Sequence, residues 1–214
     1  MRTSACEGLG ALFDSAAAGH YPPADGRVTI LPQPSARDAG VIGFTAHSVV
    51  FVDADPDWVW AQLPADDLGA PLSPKFLQAL AEHTGRETHQ TDMLACAPAL
   101  PGSPPIELTA EADPEHPRIV RALRYRDDVR SWRATGGVVL LGRGLGGRWE
   151  VAVEVAPESR GQGLGRSLAI AARHLVPGGA PVWAQVAPGN AASVRAFMAA
   201  GFRPVGAEAL LTTR

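Results

Sequence analysis

A glycine-rich segment between a strand pattern and a helix pattern most constrains how this chain of 214 residues can fold. Residues 160–166 read Arg-Gly-Gln-Gly-Leu-Gly-Arg. Segment 148–155 before them alternates as strands do, and segment 164–176 after them has apolar residues at helical spacing. Glycines let backbone N–H groups approach a ligand, and a helix N-terminus favours an anion. We therefore interpret 160–166 as a phosphate-binding loop; the alternative is a helix start that only needs a tight turn.

A second glycine cluster, residues 142–147, matches the pattern GxGxxG. In a dinucleotide-binding fold this pattern must precede a helix, because the helix N-terminus meets the pyrophosphate. Here the alternating segment 149–155 follows, and it predicts a strand. We therefore interpret 142–147 as the turn of a β-hairpin. Neither cluster ends in the Gly-Lys-Ser/Thr of a P-loop.

The composition argues against several classes of protein. A net charge of −3 offers no excess of cations for general electrostatic binding to nucleic acid. No apolar run approaches the roughly 18 residues of a transmembrane helix, so we expect no membrane partner. Cys6 and Cys96 fit no metal site or disulfide framework, and the six histidines show no ligand spacing. We expect no metal and a reducing cytoplasm, and the single lysine with many Ala, Gly and Pro residues is typical of a high-GC bacterial genome.

The order of predicted elements indicates an α+β fold in two parts. Four prolines within residues 97–105 predict a linker, which separates an N-terminal α+β lobe over 1–100 from a domain over 104–214. Helices are expected over 3–18, from Asp55, from Ser73, and over 113–125, 164–176 and 190–200. Strands are expected over 27–31, 40–52, 88–95, 106–112, 129–135, 138–141, 148–155, 182–186, 202–205 and 208–213.

Two segments carry a resemblance to a known family. Residues 155–165, Val-Ala-Pro-Glu-Ser-Arg-Gly-Gln-Gly-Leu-Gly, resemble the signature of the GNAT superfamily of acyl-CoA-dependent N-acyltransferases: a strand ending in valine, a proline, then [QR]xxGx[GA]. Residues 190–202, which start with Asn and end in Gly-Phe, are similar to a later helix of that family. The resemblance covers about 104–214 and implies a GNAT-like mixed sheet with flanking helices.

The resemblance also implies a cofactor site for acetyl-CoA as co-substrate. Backbone groups of Val153 and Val155 on a splayed strand would bind the pantetheine amides, loop 160–166 would bind the pyrophosphate, and Asn190 would reach the cofactor side. The residues expected to bind the cofactor are Val153, Val155, Arg160, Gly161, Gln162, Gly163, Leu164, Gly165, Arg166, Asn190, Ser193 and Phe197. The family often has a tyrosine where this chain has Phe197, so the usual proton donor to the leaving thiolate is missing.

Glu150 and Glu154 are the candidate catalytic residues. They lie four apart on the predicted central strand and so point to one face. Either could deprotonate an ammonium group, directly or through water. The alternative is an ion pair with an arginine of a neighbouring strand, such as Arg133 or Arg143.

Two charged stretches have both a functional and a structural interpretation. A basic stretch is formed by Arg118, Arg121, Arg124, Arg126, Arg130 and Arg133. Within it, Arg118, Arg121 and Arg124 or Tyr125 at helical spacing indicate a solvated helix face; the alternative is a contact with the 3′-phosphate of CoA. The aromatic residues Phe51, Trp58 and Trp60 lie among five aspartates of segment 53–67 and indicate a core cluster, or a site for a cationic amine. We expect the N-terminal lobe to supply a wall of the acceptor site, since the predicted helix 114–126 is short; it could be a degenerate second copy of the fold.

The resulting functional hypothesis is acetyl-CoA-dependent N-acetylation of an amine on a small molecule or a protein. The alternative is a non-catalytic acyl-CoA-binding regulatory module, which Phe197 favours. A structural interaction domain is the third possibility.

Overall fold

The computed structural model describes residues 5–110, 113 and 115–213, and it divides into two units. The first unit is formed by the chain up to Leu94 together with the last residues from Val205, and the second by Ala95–Pro204. The division therefore falls before the proline-rich segment 97–105, and the last strand belongs mainly to the first unit instead of the predicted C-terminal domain.

The proline-rich segment is fastened within the second unit. The Leu100 N–H donates to the Arg173 carbonyl at 2.7 Å, and Arg173 Nε donates to the Pro98 carbonyl at 2.9 Å. These hydrogen bonds hold the segment that was predicted as a linker against a helix of the same unit.

Helices and strands alternate in the α+β pattern that the sequence predicts. The helices are α1 (Ala5–Ala17), α2 (Pro56–Gln62), α3 (Pro74–Thr84), α4 (Pro117–Tyr125), α5 (Leu164–Leu175) and α6 (Ala191–Ala199). The strands are β1 (Val28–Leu31), β2 (Ala39–Phe44), β3 (His47–Phe51), β4 (Glu87–Ala97), β5 (Thr109–Ala110), β6 (Asp127–Ala134), β7 (Gly137–Arg143), β8 (Trp149–Val155), β9 (Val182–Val186) and β10 (Arg203–Thr212). The predicted fold class is confirmed.

Three predictions differ from the structure by more than two residues at a boundary or in the number of strands. The strand expected over 106–112 is only β5 among the described residues, with residues 111 and 112 outside them. The helix expected from Asp113 and Pro114, the latter also outside the described residues, begins at Pro117. There His116 Nδ1 accepts a hydrogen bond from the Arg118 N–H at 3.2 Å and caps the helix. The two strands expected near the end of the chain form the single strand β10.

The first unit packs helices α2 and α3 on a sheet with the order β1-β3-β2-β10-β4. Strands β1 and β3 are parallel, whereas β2 runs antiparallel to both β3 and β10. Ser73 caps α3 by accepting the Phe76 N–H, and the predicted apolar face of this helix is buried through Phe76, Leu77 and Leu80. These side chains share one core with residues of β2, β3 and β10.

The second unit has the strand order β9-β8-β7-β6-β5. Strand β8 pairs antiparallel with β7 over its whole length, from Arg143–Trp149 to Gly137–Val155. Helix α5 contacts β7 and β8, and α4 contacts β6. Within the described residues, no helix of either unit is long and apolar enough to cross a membrane.

Candidate active site

The face of β8 that carries the two candidate glutamates is covered by α4. Ala152 lies between Glu150 and Glu154, and it packs with the cluster that includes Ile119 and Ala122 of α4. Residues 150, 152 and 154 share one face because strand side chains alternate. Helix α4 is therefore the element that can supply partners to both carboxylates.

Glu150 is a buried carboxylate whose two oxygens are both occupied. Its Oε2 accepts from Arg126 Nε at 2.8 Å, and its Oε1 accepts from Arg148 Nε at 2.9 Å and from Gln185 Nε2 at 3.1 Å. Burial alone would raise the pKa of Glu150, but the charges and hydrogen bonds of Arg148 and Arg126 outweigh it and lower this pKa. A carboxylate stabilised in its ionised form is a weak proton acceptor, so these contacts account for Glu150 without a catalytic role.

The glycines of segment 142–147 make room for this buried cluster. A Cβ atom at Gly144 would collide with the Glu150 carboxyl group, and one at Gly142 would lie 2.9 Å from Arg126 Cβ. The segment connects the antiparallel strands β7 and β8, so the predicted hairpin is confirmed. Its glycine pattern reflects packing against Glu150 and Arg126 and not a dinucleotide site.

Glu154 is an accessible carboxylate with one open oxygen. Its Oε2 accepts from Arg118 Nε at 3.0 Å, and the two side chains are 44% and 38% exposed. Among the residues that the structure describes, neither Glu154 nor Arg118 has another side-chain partner. The predicted ion-pair alternative thus holds for both glutamates, but the arginines are Arg118, Arg126 and Arg148 instead of Arg133 or Arg143.

Strand β8 diverges from β9 beyond Glu150. In the described structure the parallel pairing between them covers only Trp149–Val182 and Glu150–Trp183, whereas β7 follows β8 to Val155. In the described structure, Val153 is therefore not paired with a residue of β9. The Val155 carbonyl accepts from Arg160 Nε at 3.2 Å, which ties the strand to the following loop. This divergence is the splay that a pantetheine site would need.

The loop 160–166 ends at the N-terminus of α5. Gly161 and Gly163 have φ angles of +75° and +84°, a left-handed conformation that favours glycine. The Ser167 N–H donates to the Gly163 carbonyl at 3.1 Å, so the N–H groups of 164–166 precede the helix's own hydrogen-bond pattern. Both glycines are exposed, with no heavy atom within 4 Å of an added Cβ. The loop therefore presents backbone donors at the positive end of a helix dipole.

The residues in and next to helix α6 that are predicted to bind the cofactor contact residues close to them in the chain. Asn190 Oδ1 accepts the Ser193 N–H at 3.1 Å and caps the helix. Phe197 is buried, and its ring meets that of Phe202 edge-on, with centroids 5.0 Å apart. Contacts of Asn190, Ser193 and Phe197 with a cofactor stay a prediction.

The remaining arginines of the basic stretch have mixed surroundings. Arg124 is exposed and has no side-chain partner among the described residues, as expected of a solvated face. Arg121 lies over the Tyr125 ring and Arg130 over the Trp149 ring, at 5.7 and 5.6 Å from the centroids. Two partners of the buried Glu150, Arg148 and Gln185, were not predicted. Arg148 lies two residues before Glu150, and Gln185 lies on the neighbouring strand β9, and these positions were the signals available in the sequence.

The aromatic residues of the first unit have separate environments. Phe51 is fully buried in β3, and Trp58 stacks on His83 with the ring centroids 3.8 Å apart. Trp60 is 48% exposed. These contacts favour the core interpretation for Phe51 and Trp58. Within the described residues, no group of three or more His, Cys, Asp or Glu side chains could hold a metal ion.

A strand that diverges from its neighbour, followed by a glycine loop at a helix N-terminus, is the arrangement that the resemblance implies for an acyl-CoA-dependent transferase. The family described as Acetyltransferase (GNAT) family matches residues 87–202, which is more than half of the chain. The chain therefore belongs to the GNAT family of acetyltransferases, and the predicted resemblance is confirmed. No curated protein matches it.

Several solved structures match part of this chain at low sequence identity. A GCN5-related N-acetyltransferase from Kribbella flavida is 20% identical with a TM-score of 0.43, over 64% of this chain and 63% of its own. A putative GNAT acetyltransferase from Novosphingobium aromaticivorans is 21% identical with a TM-score of 0.40, over 61% and 68% of the two chains. A GNAT acetyltransferase from Colwellia psychrerythraea is 12% identical with a TM-score of 0.39, over 64% and 61%. The chain thus spans less than two thirds of the Kribbella protein.

Proposed function

We propose that this protein transfers an acetyl group from acetyl-CoA to an amine. The observation that carries the proposal is the divergence of β8 from β9 immediately before loop 160–166 and the N-terminus of α5. Acetyl-CoA, when bound, supplies the acetyl thioester. Backbone groups near Val153 and Val155 would hold the pantetheine chain, and the N–H groups of the loop would bind the pyrophosphate.

Glu154 is the residue to which we assign proton removal. An amine must lose a proton before its nitrogen can attack the acetyl carbon, and the C–S bond then breaks as the C–N bond forms. Glu154 is accessible, and its Oε1 has no partner among the described residues, so it can take that proton directly or through water. We assign Glu150 to the support of β8, because both of its oxygens are already hydrogen-bonded.

A non-catalytic acyl-CoA-binding module is the second candidate function. The observation that favours it is Phe197, which is buried against Phe202 and offers no hydroxyl to a leaving thiolate. Both functions use the same loop. Release of CoA in the presence of a library of amines supports the transferase, and acetyl-CoA binding without CoA release for any amine supports the module.

The setting that we propose is a bacterial cytoplasm. Cys96 is a free, buried cysteine, and burial raises the pKa of its thiol against the opposing charges of Arg203 and Arg148. A protonated, buried thiol is unreactive, which suits a packing role in a reducing compartment.

The loop assignment is tested by replacing Gly163 with valine. A β-branched side chain is strained at φ +84° and would stand in the path of a phosphate, so we expect Gly163→Val to weaken acetyl-CoA binding by about a hundredfold or more. The measurement is isothermal titration calorimetry with acetyl-CoA on the folded variant.

Gly178→Val is the matched control. Gly178 also has a left-handed φ, +66°, is exposed, and has nothing within 4 Å of an added Cβ, but it follows the other end of α5. Equal affinities in wild type and both variants would show that the loop is not the cofactor site. A loss in Gly163→Val alone supports it.

A further inference from the structure

The ion pair between Arg118 and Glu154 has two open ends. A single hydrogen bond, Arg118 Nε to Glu154 Oε2, joins the two side chains at 3.0 Å. Because neither residue has another side-chain partner among those described, Oε1 of the carboxylate and both Nη groups of the guanidinium remain available. Both side chains are more than one third exposed. The pair therefore presents an acceptor and a donor fork side by side.

Helix α4 and strand β8 together place more positive than negative charge near Glu154. Helix α4, Pro117–Tyr125, reads Pro-Arg-Ile-Val-Arg-Ala-Leu-Arg-Tyr and has three arginines and no acidic residue. In β8, Glu154 is the one carboxylate beyond the buried Glu150. A site for a plain cationic amine would be expected to carry an excess of acidic groups, and these two elements do not supply one.

We propose that Arg118 determines acceptor specificity by binding a carboxylate, so that the acceptor is a small amino acid. This inference rests on the proposed function, in which Glu154 receives the proton of the acceptor amine. The Arg118 guanidinium can hold a carboxylate through two parallel N–H···O bonds, which a lone ammonium cannot accept. The hydrogen bond within the pair uses only Nε and Oε2, so a ligand can bind Oε1 and the Nη groups while the pair stays intact.

The short distance within the pair limits the acceptor further. Since Arg118 and Glu154 touch, the amine and the carboxylate of a ligand that engages both must also be close, separated by one or two carbon atoms. An α-amino acid or a β-amino acid has this spacing. The side-chain amine of a lysine within a protein and the amines of a long polyamine do not carry a carboxylate at that distance.

The test compares acceptors that differ only in the carboxylate. The wild-type protein is assayed for CoA release with L-leucine against 3-methylbutylamine, and with L-phenylalanine against 2-phenylethylamine. We expect kcat/KM for at least one amino acid to exceed that of its matched amine by about tenfold or more, the scale of one charge-assisted contact. Arg118→Gln should abolish that difference by raising KM for the amino acid, with little change in kcat. Arg118→Lys should restore part of it, and Arg124→Gln, on the same helix, should retain it.

Binding and turnover separate this inference from the proposed function. Calorimetric titration of the same four compounds into the protein with CoA present measures recognition without chemistry. If an amino acid binds to the wild type and not to Arg118→Gln, the inference is supported. This holds even if no CoA is released, a result that would overturn the proposed transferase function. Three results would overturn the inference. In the first, the wild type has the same kcat/KM for each amino acid and its matched amine. In the second, Arg118→Gln lowers kcat/KM equally for an amino acid and its matched amine, and in the third, no compound is bound or turned over.

Discussion

Glu150 and Glu154 lie on the same face of the same strand, yet they have opposite surroundings. Glu150 is buried, accepts three hydrogen bonds and has a lowered pKa. Glu154 is 44% exposed and accepts one. The residue type, the strand and the face of the strand are the same for both glutamates, so the difference comes from the groups that pack against each carboxylate. The comparison teaches that a carboxylate on a central strand becomes a candidate base only where its partners leave an oxygen open.

The length and direction of helix α4 place one arginine beside each glutamate. Arg118 and Arg126 are eight residues apart, which is about 12 Å along a helix. Glu150 and Glu154 are four apart, which is about 13 Å along a strand. Because α4 runs opposite to β8, the arginine at the helix start meets the later glutamate and the arginine just after its end meets the earlier one. Only the earlier glutamate gains Arg148 and Gln185 as well.

The largest effect expected from this comparison is the loss of rate in Glu154→Gln. A positioned general base contributes roughly 10²–10⁴ in rate, so kcat should fall by that factor. Stability should change by less than about 1 kcal/mol, because the pair with Arg118 is exposed. The measurements are CoA release at saturating acetyl-CoA and denaturant unfolding. Glu107→Gln removes an exposed carboxylate of the same unit and should leave both unchanged. A folded Glu154→Gln protein with more than a third of the wild-type rate would contradict the assignment.

Glu150→Gln should show the reverse, a loss of stability. The substitution leaves Arg126 and Arg148 with an uncharged partner whose NH₂ group faces a donor, and breaking a buried ion pair typically costs about 3–5 kcal/mol. The free energy of unfolding in denaturant measures it, again with Glu107→Gln as the control. A loss below about 1 kcal/mol would show that the buried network is not what holds this end of β8.

The same variant gives the expected pH dependence. The pKa of Glu150 is lowered on folding from 4.5, so its contribution to stability is present above that pH and is lost as the pH falls through the folded-state value. The advantage of the wild type over Glu150→Gln should therefore shrink in acid below about pH 4.5. An advantage that grows in acid would contradict a lowered pKa.

Local backbone chemistry could be predicted from the sequence, because it depends on neighbours along the chain. The glycine loop 160–166, the start of α5 and the shared face of Glu150 and Glu154 all follow from spacing. The hairpin at 142–147 followed from the alternation after it. For the same reason, the two motifs of the family were visible in the sequence before any contact was known.

The partners of the glutamates could not be predicted, because they depend on where a helix starts and how it packs. The sequence offers two prolines as helix starts, Pro114 and Pro117; the prediction used the first, whereas α4 begins at the second. The register of α4 on β8 is set by the packing of Ile119 and Ala122 near Ala152. Ion pairs were therefore expected with Arg133 and Arg143 of the neighbouring strands, whereas the partners are Arg118 in the helix and Arg126 just after it.

The smallest expected effect concerns the protonation of the leaving thiolate. We assign neither glutamate as the donor of that proton. Phe197, which the resemblance places where the family often has a tyrosine, is buried against Phe202. A thiol has a pKa of about 8.5, so a thiolate leaves without a strong acid, and water or the departing amine proton can supply the hydrogen. Phe197→Leu removes no proton donor and should change kcat by less than about tenfold, through packing alone.

Phe197→Tyr tests the same point from the other side. If the added hydroxyl reaches the sulfur, kcat should stay equal or rise; if the hydroxyl is left buried without a partner, the cost of about 1–3 kcal/mol should appear in unfolding instead of in kcat. CoA release at saturating acetyl-CoA is measured for Phe197→Leu, Phe197→Tyr and Glu154→Gln, each checked first for folding. A hundredfold loss in folded Phe197→Leu with Glu154→Gln unaffected would overturn both assignments. It would mean that the difference between the two glutamates has no bearing on catalysis, because the reaction would then depend on the shape of the α6 side of the site and on neither carboxylate.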